Sequence, residues 1–130
     1  MKIKYIDSIK QMKNYPIKGF CLNWKKPITE NKLKKICENS KYFIMAIDEI
    51  EDKVVGIITV LTDEINWVFI PYLEVLPEYQ KMRIGSKLVK KIIKKYKKIG
   101  NLDLMCDKKV QPFYEKIGMK KSHGMVLRKY

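Results

Sequence analysis

Apolar residues recur at helical spacing in two parts of the chain. Leu33, Ile36 and Cys37 fall on one side of a short helix predicted for residues 29–39. A longer apolar stripe runs through residues 84–99, and lysines occupy the rest of that helix surface. The spacing therefore predicts two amphipathic helices, each with one side turned toward a core.

Runs of apolar and β-branched residues predict strands around these helices. A short acidic turn joins the runs at 42–48 and 54–61, which indicates a hairpin. Pro71 interrupts the run at 66–76, so a break or an edge position is expected there. The predicted strands are 2–6, 42–48, 54–61, 66–76, 101–107 and 119–128, with a second short helix at 110–118.

The order of these elements predicts the fold class. A strand, a long helix and another strand imply a right-handed parallel crossover, whereas the preceding hairpin implies antiparallel pairs. The expected fold is α/β (α+β), with helices packed on the faces of a mixed sheet. Because the chain has 130 residues and no internal repeat or flexible linker, residues 1–130 are expected to form one domain.

The composition excludes some classes of protein. A hydrophobic fraction of 46% is too high for a disordered chain. Lys and Arg number 28 against 14 Asp and Glu, and the net charge of +14 indicates either an anionic partner or a compositional habit. Arg83 and Arg128 are the only arginines, whereas nucleic-acid-binding proteins favour Arg for bidentate contacts. The excess of lysine over arginine therefore favours a general composition bias over a nucleic-acid partner as the source of the charge.

The three cysteines are far apart and the sequence has one histidine, so neither a disulfide framework nor a metal site is expected. The N-terminal residues contain no long apolar run, so no signal peptide is predicted. No apolar run approaches the roughly 20 residues of a membrane span. These features predict a cytoplasmic protein with no metal and no membrane partner.

The segment 73–89 is the most informative part of the sequence. A strand leads through a short basic loop into the long helix, where free backbone N–H groups and the helix dipole attract anions. Lys81 and Arg83 add positive charge, and Gly85 lets a ligand approach the backbone closely. An ordinary helix start has the same local pattern, so this segment alone leaves both interpretations open.

Two segments together resemble the signatures of the GNAT superfamily of acetyl-CoA-dependent N-acetyltransferases. The first enters the long helix and reads Gln80-Lys81-Met82-Arg83-Ile84-Gly85, with Arg83 where the family usually has Gly. The second begins with Asp107, where the family usually has Asn, and ends with Met119, where it usually has Phe. It contains Pro112-Phe113-Tyr114-Glu115-Lys116-Ile117-Gly118.

The resemblance covers about residues 41–130 and implies the GNAT fold. That fold has a mixed central sheet of about six to seven strands flanked by about four helices. Its strands at 66–76 and 101–106 are expected to splay apart, and the pantetheine arm of acetyl-CoA would lie between them.

The resemblance also implies which residues bind acetyl-CoA. Backbone amides of residues 81–86 would hold the pyrophosphate. Because a non-glycine residue does not adopt positive φ cheaply, Arg83 is expected to give the loop a different geometry, with its side chain on a phosphate. The Leu76 amide would polarise the thioester carbonyl. The full expected set is Val75, Leu76, Gln80, Lys81, Met82, Arg83, Ile84, Gly85, Ser86, Asp107 and Tyr114.

Two side chains are the expected catalytic residues. Tyr114 matches the family position of the general acid near the sulfur, and its alternative role is that of a core aromatic residue. Glu74 shares a strand face with Tyr72 and Leu76 and is the best candidate for the general base or a water relay. Its alternatives are to bind a cationic substrate or to face solvent.

Other polar residues are weaker candidates. Glu78 and Asp107 are further carboxylates, His123 is expected to be incidental, and Cys106 is expected to be a buried structural thiol. The resemblance implies that the acceptor is selected mainly by residues 7–40 and 62–66. Aromatic residues that could line its pocket, or belong to the core, are Tyr15, Phe20, Trp24 and Trp67.

The sequence thus predicts an N-acetyltransferase that moves an acetyl group from acetyl-CoA to a primary amine by direct attack in a ternary complex. Its partners would be acetyl-CoA and a small-molecule or protein amine, and the chain would act as a monomer or homodimer. The alternatives are a catalytically degenerate acyl-CoA-binding protein and a basic nucleic-acid-binding module.

Overall fold

A computed structural model describes residues 1–129. Two 3-10 turns, Pro77–Tyr79 and Lys108–Val110, lie between regular elements. In chain order those elements are β1 (Ile3–Ile6), α1 (Ile9–Met12), α2 (Glu30–Asn39), β2 (Tyr42–Asp48), β3 (Lys53–Thr62), β4 (Trp67–Val75), α3 (Ile84–Lys95), β5 (Asn101–Leu104) and α4 (Gln111–Glu115).

The strands form one sheet in the order β1-β2-β3-β4-β5. The first four pair antiparallel and β5 pairs parallel to β4, with α3 as the crossover between them. This confirms the mixed α/β fold and the parallel crossover. The strand count within residues 1–129 is five, which is lower than the six to seven expected.

The predicted final strand at 119–128 is not present in the structure. These residues pair with no strand, and Met125, Val126 and Leu127 are exposed. A strand needs a neighbouring strand for its backbone groups, and this segment has none. Helix α3 ends at Lys95 and β5 ends at Leu104, so both are shorter than predicted, whereas β3 is longer than predicted and helix α1 was not predicted.

Helix α3 packs closely on the sheet because β3 carries a glycine at the contact. A Cβ atom on Gly56 would lie 3.3 Å from side-chain atoms of both Ile84 and Leu88. Leu88 and Ile92 are fully buried in the core. Two lysines of the same helix, Lys91 and Lys95, cover tyrosine rings of β1 and β2 at 4.8 and 4.3 Å.

Strand β4 contains a bulge at Pro71. Tyr72 pairs with Thr59 and Phe69 with Leu61, so two residues of β4 face one residue of β3. The expected break at Pro71 is therefore a bulge inside a continuous strand. Pairing between β4 and β5 ends at Ile70, and the splay predicted between these strands begins there.

The turn after β2 is tied to the 3-10 turn after β4. Asp48 is buried and accepts hydrogen bonds from the Tyr79 hydroxyl at 2.6 Å and from the N–H groups of Ile50 and Glu51 at 2.9 and 3.2 Å. The Tyr79 hydrogen bond and these amides lower the pKa of Asp48. The same hydrogen bond raises the pKa of Tyr79 to about 12. This buried link anchors the segment that leads into the predicted cofactor loop.

We expect Asp48→Asn to be less stable than the wild type at pH 7, and the difference to shrink in acid. Since the folded protein holds the Asp48 pKa below 3.8, the carboxylate stabilises the fold above that value. This contribution disappears as the pH falls through the lower folded-state pKa. Urea unfolding at pH 7, 5 and 3 measures the difference, with the exposed Glu49→Gln as control. A stability gap that is the same at pH 3 as at pH 7 contradicts the assignment.

Candidate active site

Backbone groups of β4 face the gap that opens beside β5. The Leu76 N–H donates to the Val55 carbonyl at 2.9 Å, so it points toward β3. Because N–H groups alternate in direction along a strand, those of Leu73 and Val75 point the other way. The expectation that the Leu76 amide polarises a thioester is therefore wrong, since that donor is already bound to β3.

Gln80 folds the following loop back onto the end of β4. Its side-chain amide donates to the Val75 carbonyl at 3.0 Å. This bond occupies one acceptor position of the carbonyl on the gap side of the strand. The structure thus gives Gln80 a role in closing the loop, and its predicted contact with a cofactor stays a prediction.

The loop between Gln80 and α3 has left-handed backbone at two positions. Lys81 has φ 68° and Arg83 has φ 63° with ψ 16°. The expectation that Arg83 forces another loop geometry is therefore wrong: Arg83 adopts the left-handed conformation that glycine adopts most easily. Such a conformation costs a non-glycine residue about 1 kcal/mol or more.

The first turn of α3 presents backbone donors that no side chain caps. Arg83 is the N-cap residue, and its side chain makes no capping hydrogen bond. The amides of residues 84–86 therefore face outward at the positive end of the helix dipole. Around them lie the exposed Lys81, Met82, Arg83 and Lys87, the half-buried Gly85 and Ser86, and the buried Ile84.

Helix α4 packs against the first turn of α3 through Phe113. A Cβ atom on Gly85 would lie 3.4 Å from the Phe113 ring and 3.6 Å from Val75. Phe113 in turn contacts Tyr114 edge to face, with ring centroids 4.9 Å apart. The second signature is therefore held beside the first.

Tyr114 lies at the other side of the gap. It is buried and lines a cavity of about 360 Å³ together with Phe69, Leu104, Cys106 and His123. Phe69 and Leu104 lie where β4 and β5 separate. Burial and the nearby Cys106 raise the pKa of Tyr114 to about 12, so the phenol is protonated at neutral pH. Within residues 1–129 its hydroxyl donates to no other residue.

Cys106 differs from the expectation. The residue is exposed at the end of β5, whereas the sequence predicted a buried thiol. Pairing of β5 ends at Leu104, and no further strand covers the positions that follow.

Glu74 lies on the opposite face of β4 from Val75. Its Oε1 accepts hydrogen bonds from the Tyr72 hydroxyl at 2.8 Å and from the Cys21 N–H at 3.0 Å. The Cys21 N–H also lies 3.2 Å from Oε2. The carboxylate is half-buried and is held in place by a segment 53 positions earlier in the chain. Cys21 was not among the predicted site residues, because no local sequence pattern indicates so distant a contact.

The segment that reaches Glu74 is a tight turn. Gly19 has φ 86° and Cys21 has φ 60°, and the Trp24 N–H donates to the Cys21 carbonyl at 3.3 Å. The Trp24 ring packs edge to face on Tyr72 with centroids 5.5 Å apart. Burial raises the pKa values of both Tyr72 and Cys21. Among the predicted acceptor-pocket residues, Trp24 is therefore the one that packs on Tyr72, the tyrosine that donates to Glu74.

The remaining candidates lie elsewhere. Phe20 is buried in the core, and Tyr15 is half-buried beneath the Lys4 ammonium at 5.2 Å. Trp67 lies at the start of β4, where its indole N–H donates to Asp103 at 2.7 Å.

The other two predicted carboxylates are both exposed. Glu78 lies in the turn after β4, and Asp107 precedes the turn before α4. Neither hydrogen-bonds to Glu74, whose recorded partners are Cys21 and Tyr72.

Residues 1–129 contain no group of three or more His, Cys, Asp or Glu side chains placed to hold a metal ion. No helix in this part of the chain is long and apolar enough to cross a membrane.

Comparison with known proteins identifies the family and the fold. The model of the Acetyltransferase (GNAT) family matches residues 10–119. A Deinococcus radiodurans R1 protein described as an acetyltransferase superposes with a TM-score of 0.91 at 29% identity, over 98% of this chain and 88% of that one. No curated protein matches the sequence significantly.

Two more distant structures share the fold. Glucosamine-6-phosphate N-acetyltransferase from Arabidopsis thaliana has a TM-score of 0.73 at 17% identity, over 100% of this chain and 99% of that one. An aminoglycoside acetyltransferase from an uncultured soil metagenomic sample has a TM-score of 0.68 at 22% identity, over 98% and 95% of the two chains. The family match covers most of the chain, so this protein belongs to the GNAT acetyltransferases. Its enzyme class is that of the N-acetyltransferases.

We expect Arg83→Gly to raise the free energy of unfolding by about 0.5–1 kcal/mol, because glycine adopts the left-handed conformation without a Cβ clash. Arg83→Ala removes the same charge but keeps Cβ, so it should give no gain. Urea unfolding of the three proteins measures the effect. An equal gain in both variants would show that charge relief, and not backbone strain, is responsible.

Proposed function

We propose that this protein transfers an acetyl group from acetyl-CoA to a primary amine by direct attack in a ternary complex. The observation that carries this proposal is the unpaired inner edge of β4. There the amides of Leu73 and Val75 point into the gap that leads to the uncapped start of α3. Acetyl-CoA is the usual donor of the GNAT family. A long, narrow ligand with a polyanionic end suits such a gap.

The anionic end of acetyl-CoA would bind at the start of α3. The backbone amides of residues 81–86 can donate to its pyrophosphate, and the helix dipole favours the negative charge. The exposed side chains of Lys81, Arg83 and Lys87 add cations around this point. Among them, the guanidinium of Arg83 can bind a phosphate through two N–H groups.

The arm of acetyl-CoA would lie along β4 and carry the thioester inward. The backbone of Val75 is nearer the loop, and that of Leu73 lies about 7 Å deeper along the strand. We therefore assign the amide that polarises the thioester carbonyl to Leu73 rather than to Leu76. A fixed backbone donor in this position stabilises the negative charge that develops on the oxygen.

Glu74 and Tyr114 would act as the general base and the hydrogen-bond donor of the reaction. Acetyl-CoA supplies an activated acetyl group, and an amine must be neutral to attack it. Glu74, directly or through water, would accept the ammonium proton, and Tyr114 would donate a hydrogen bond to the departing sulfur. Because its pKa is raised to about 12, the phenol stays protonated and ready to donate at neutral pH.

Calorimetric titration with acetyl-CoA tests the binding part of the proposal. We expect saturable binding that weakens about three- to tenfold in Arg83→Ala, since one charge-assisted hydrogen bond to phosphate is lost. Arg128→Ala, in the exposed C-terminal segment, is the matched control and should bind like the wild type. The absence of any heat of binding at millimolar acetyl-CoA would refute the proposal.

Thiol release with a panel of primary amines tests the catalytic part. Tyr114→Phe and Glu74→Gln should each lower kcat about 10²-fold or more, while acetyl-CoA binding is unchanged. The matched controls are Tyr96→Phe, a buried tyrosine on α3's C-terminal end, and Glu78→Gln, an exposed glutamate. Binding of acetyl-CoA without amine-dependent thiol release would instead indicate a degenerate acyl-CoA-binding protein.

A further inference from the structure

We propose that the acceptor is a monocationic primary amine carried on an apolar or aromatic group, bound between Glu74 and Trp24. This inference rests on the proposed function and specifies its acceptor. It depends on three features of the turn at residues 19–24. These are its hydrogen bond to the Glu74 carboxylate, the Trp24 ring beside that carboxylate, and the positive charge around the turn.

The carboxylate is oriented so that one oxygen remains available. Glu74 Oε1 accepts hydrogen bonds from both the Tyr72 hydroxyl and the Cys21 N–H. Oε2 accepts only from the Cys21 N–H, at the longer distance of 3.2 Å. A carboxylate has about four acceptor positions, so Oε2 can still accept from an ammonium group. Tyr72 is thus a positioning residue that holds Glu74 for the acceptor.

The Tyr72 hydroxyl is itself oriented by a hydrogen bond from Cys21. The Cys21 thiol donates to the Tyr72 oxygen at 3.5 Å, and both side chains are buried. The Tyr72 proton is therefore directed toward Glu74. The left-handed backbone of Cys21, at φ 60°, aims its N–H at the same carboxylate. Strained backbone of this kind persists where the surrounding structure enforces it, and it is concentrated at functional sites.

An apolar surface lies next to this carboxylate. The Trp24 ring contacts Tyr72 edge to face at 5.5 Å, and the residue remains 44% exposed. Leu22, in the same turn, is 72% exposed. The face of an exposed tryptophan attracts a cation and the apolar group that carries it. The site therefore suits an amine with an apolar body.

The charge around the site disfavours acceptors with several cations. Glu74 is the carboxylate bound to this turn, and Lys18 and Lys25 lie exposed on either side of it. The carboxylate of Glu30, which accepts from the Ile17 N–H at 2.9 Å, also pairs with Lys34 at 3.7 Å. The net charge of +14 adds repulsion over the whole surface. A second ammonium on the acceptor would therefore be repelled by lysines such as Lys18 and Lys25.

Fluorescence titration tests this inference without requiring turnover. In the Trp67→Phe background Trp24 is the only tryptophan, and Trp67 lies outside the proposed site at the start of β4. The probes are 2-phenylethylamine, its neutral analogue 2-phenylethanol, and the polyamine spermidine, at pH 7 and low salt. An unchanged urea midpoint in each variant shows that the fold is intact.

We expect 2-phenylethylamine to quench Trp24 saturably and to bind about tenfold more tightly than either other probe, a difference of about 1.4 kcal/mol. Glu74→Gln should weaken that binding about tenfold and Tyr72→Phe about three- to tenfold. In turnover, Tyr72→Phe should raise the acceptor KM and leave acetyl-CoA binding unchanged. Tyr5→Phe, on β1, is the matched control.

Several outcomes would overturn the inference. These are equal binding of the amine and the alcohol, tightest binding of spermidine, or no loss of affinity in Glu74→Gln. Acetylation of spermidine but not of 2-phenylethylamine would refute it while leaving the proposed function intact. Binding of 2-phenylethylamine without any thiol release would support the acceptor site and refute the proposed function.

Discussion

Strand β4 is hydrogen-bonded on both edges as far as Ile70 and on one edge beyond it. Pro71 lies on the edge that faces β5, where it offers no N–H, and it sits in a bulge opposite Val60. The parallel pair therefore ends at this point. The proposed cofactor site depends on the resulting gap, because it leaves the amides of Leu73 and Val75 without a partner strand.

Backbone strain surrounds the same strand on two sides. Lys81 and Arg83 are left-handed in the loop that follows β4, and Cys21 is left-handed in the turn that reaches Glu74. Each such residue costs on the order of 1 kcal/mol. The buried link between Asp48 and Tyr79 secures one of these segments and the buried core residue Phe20 secures the other. Rigid packing thus holds both the donors for the anion and the carboxylate in place.

The large positive charge has a structural component. Lys91 and Lys95 of α3 cover tyrosine rings of the sheet, so part of the basic surface of this helix belongs to its packing. The apolar side of this helix is buried in the core. In the proposed function, only the lysines and the arginine at the start of α3 would contact the small polyanion. In the proposed acceptor site, the overall positive charge would disfavour polycations.

The sequence by itself determined the mixed α/β fold, the position of β2 at residues 42–48, the loop before α3, and the alternation that separates Glu74 from Val75. These depend on local periodicity and short motifs. Only the tertiary structure decided that Leu73 rather than Leu76 faces the gap, because partners on both sides of a strand set the direction of each amide. It also decided that Cys21 and Tyr72 hold Glu74, and that residues 119–128 form no strand. The reason is that hydrogen bonds across 53 positions, and strand pairing, depend on three-dimensional neighbours that local sequence does not specify.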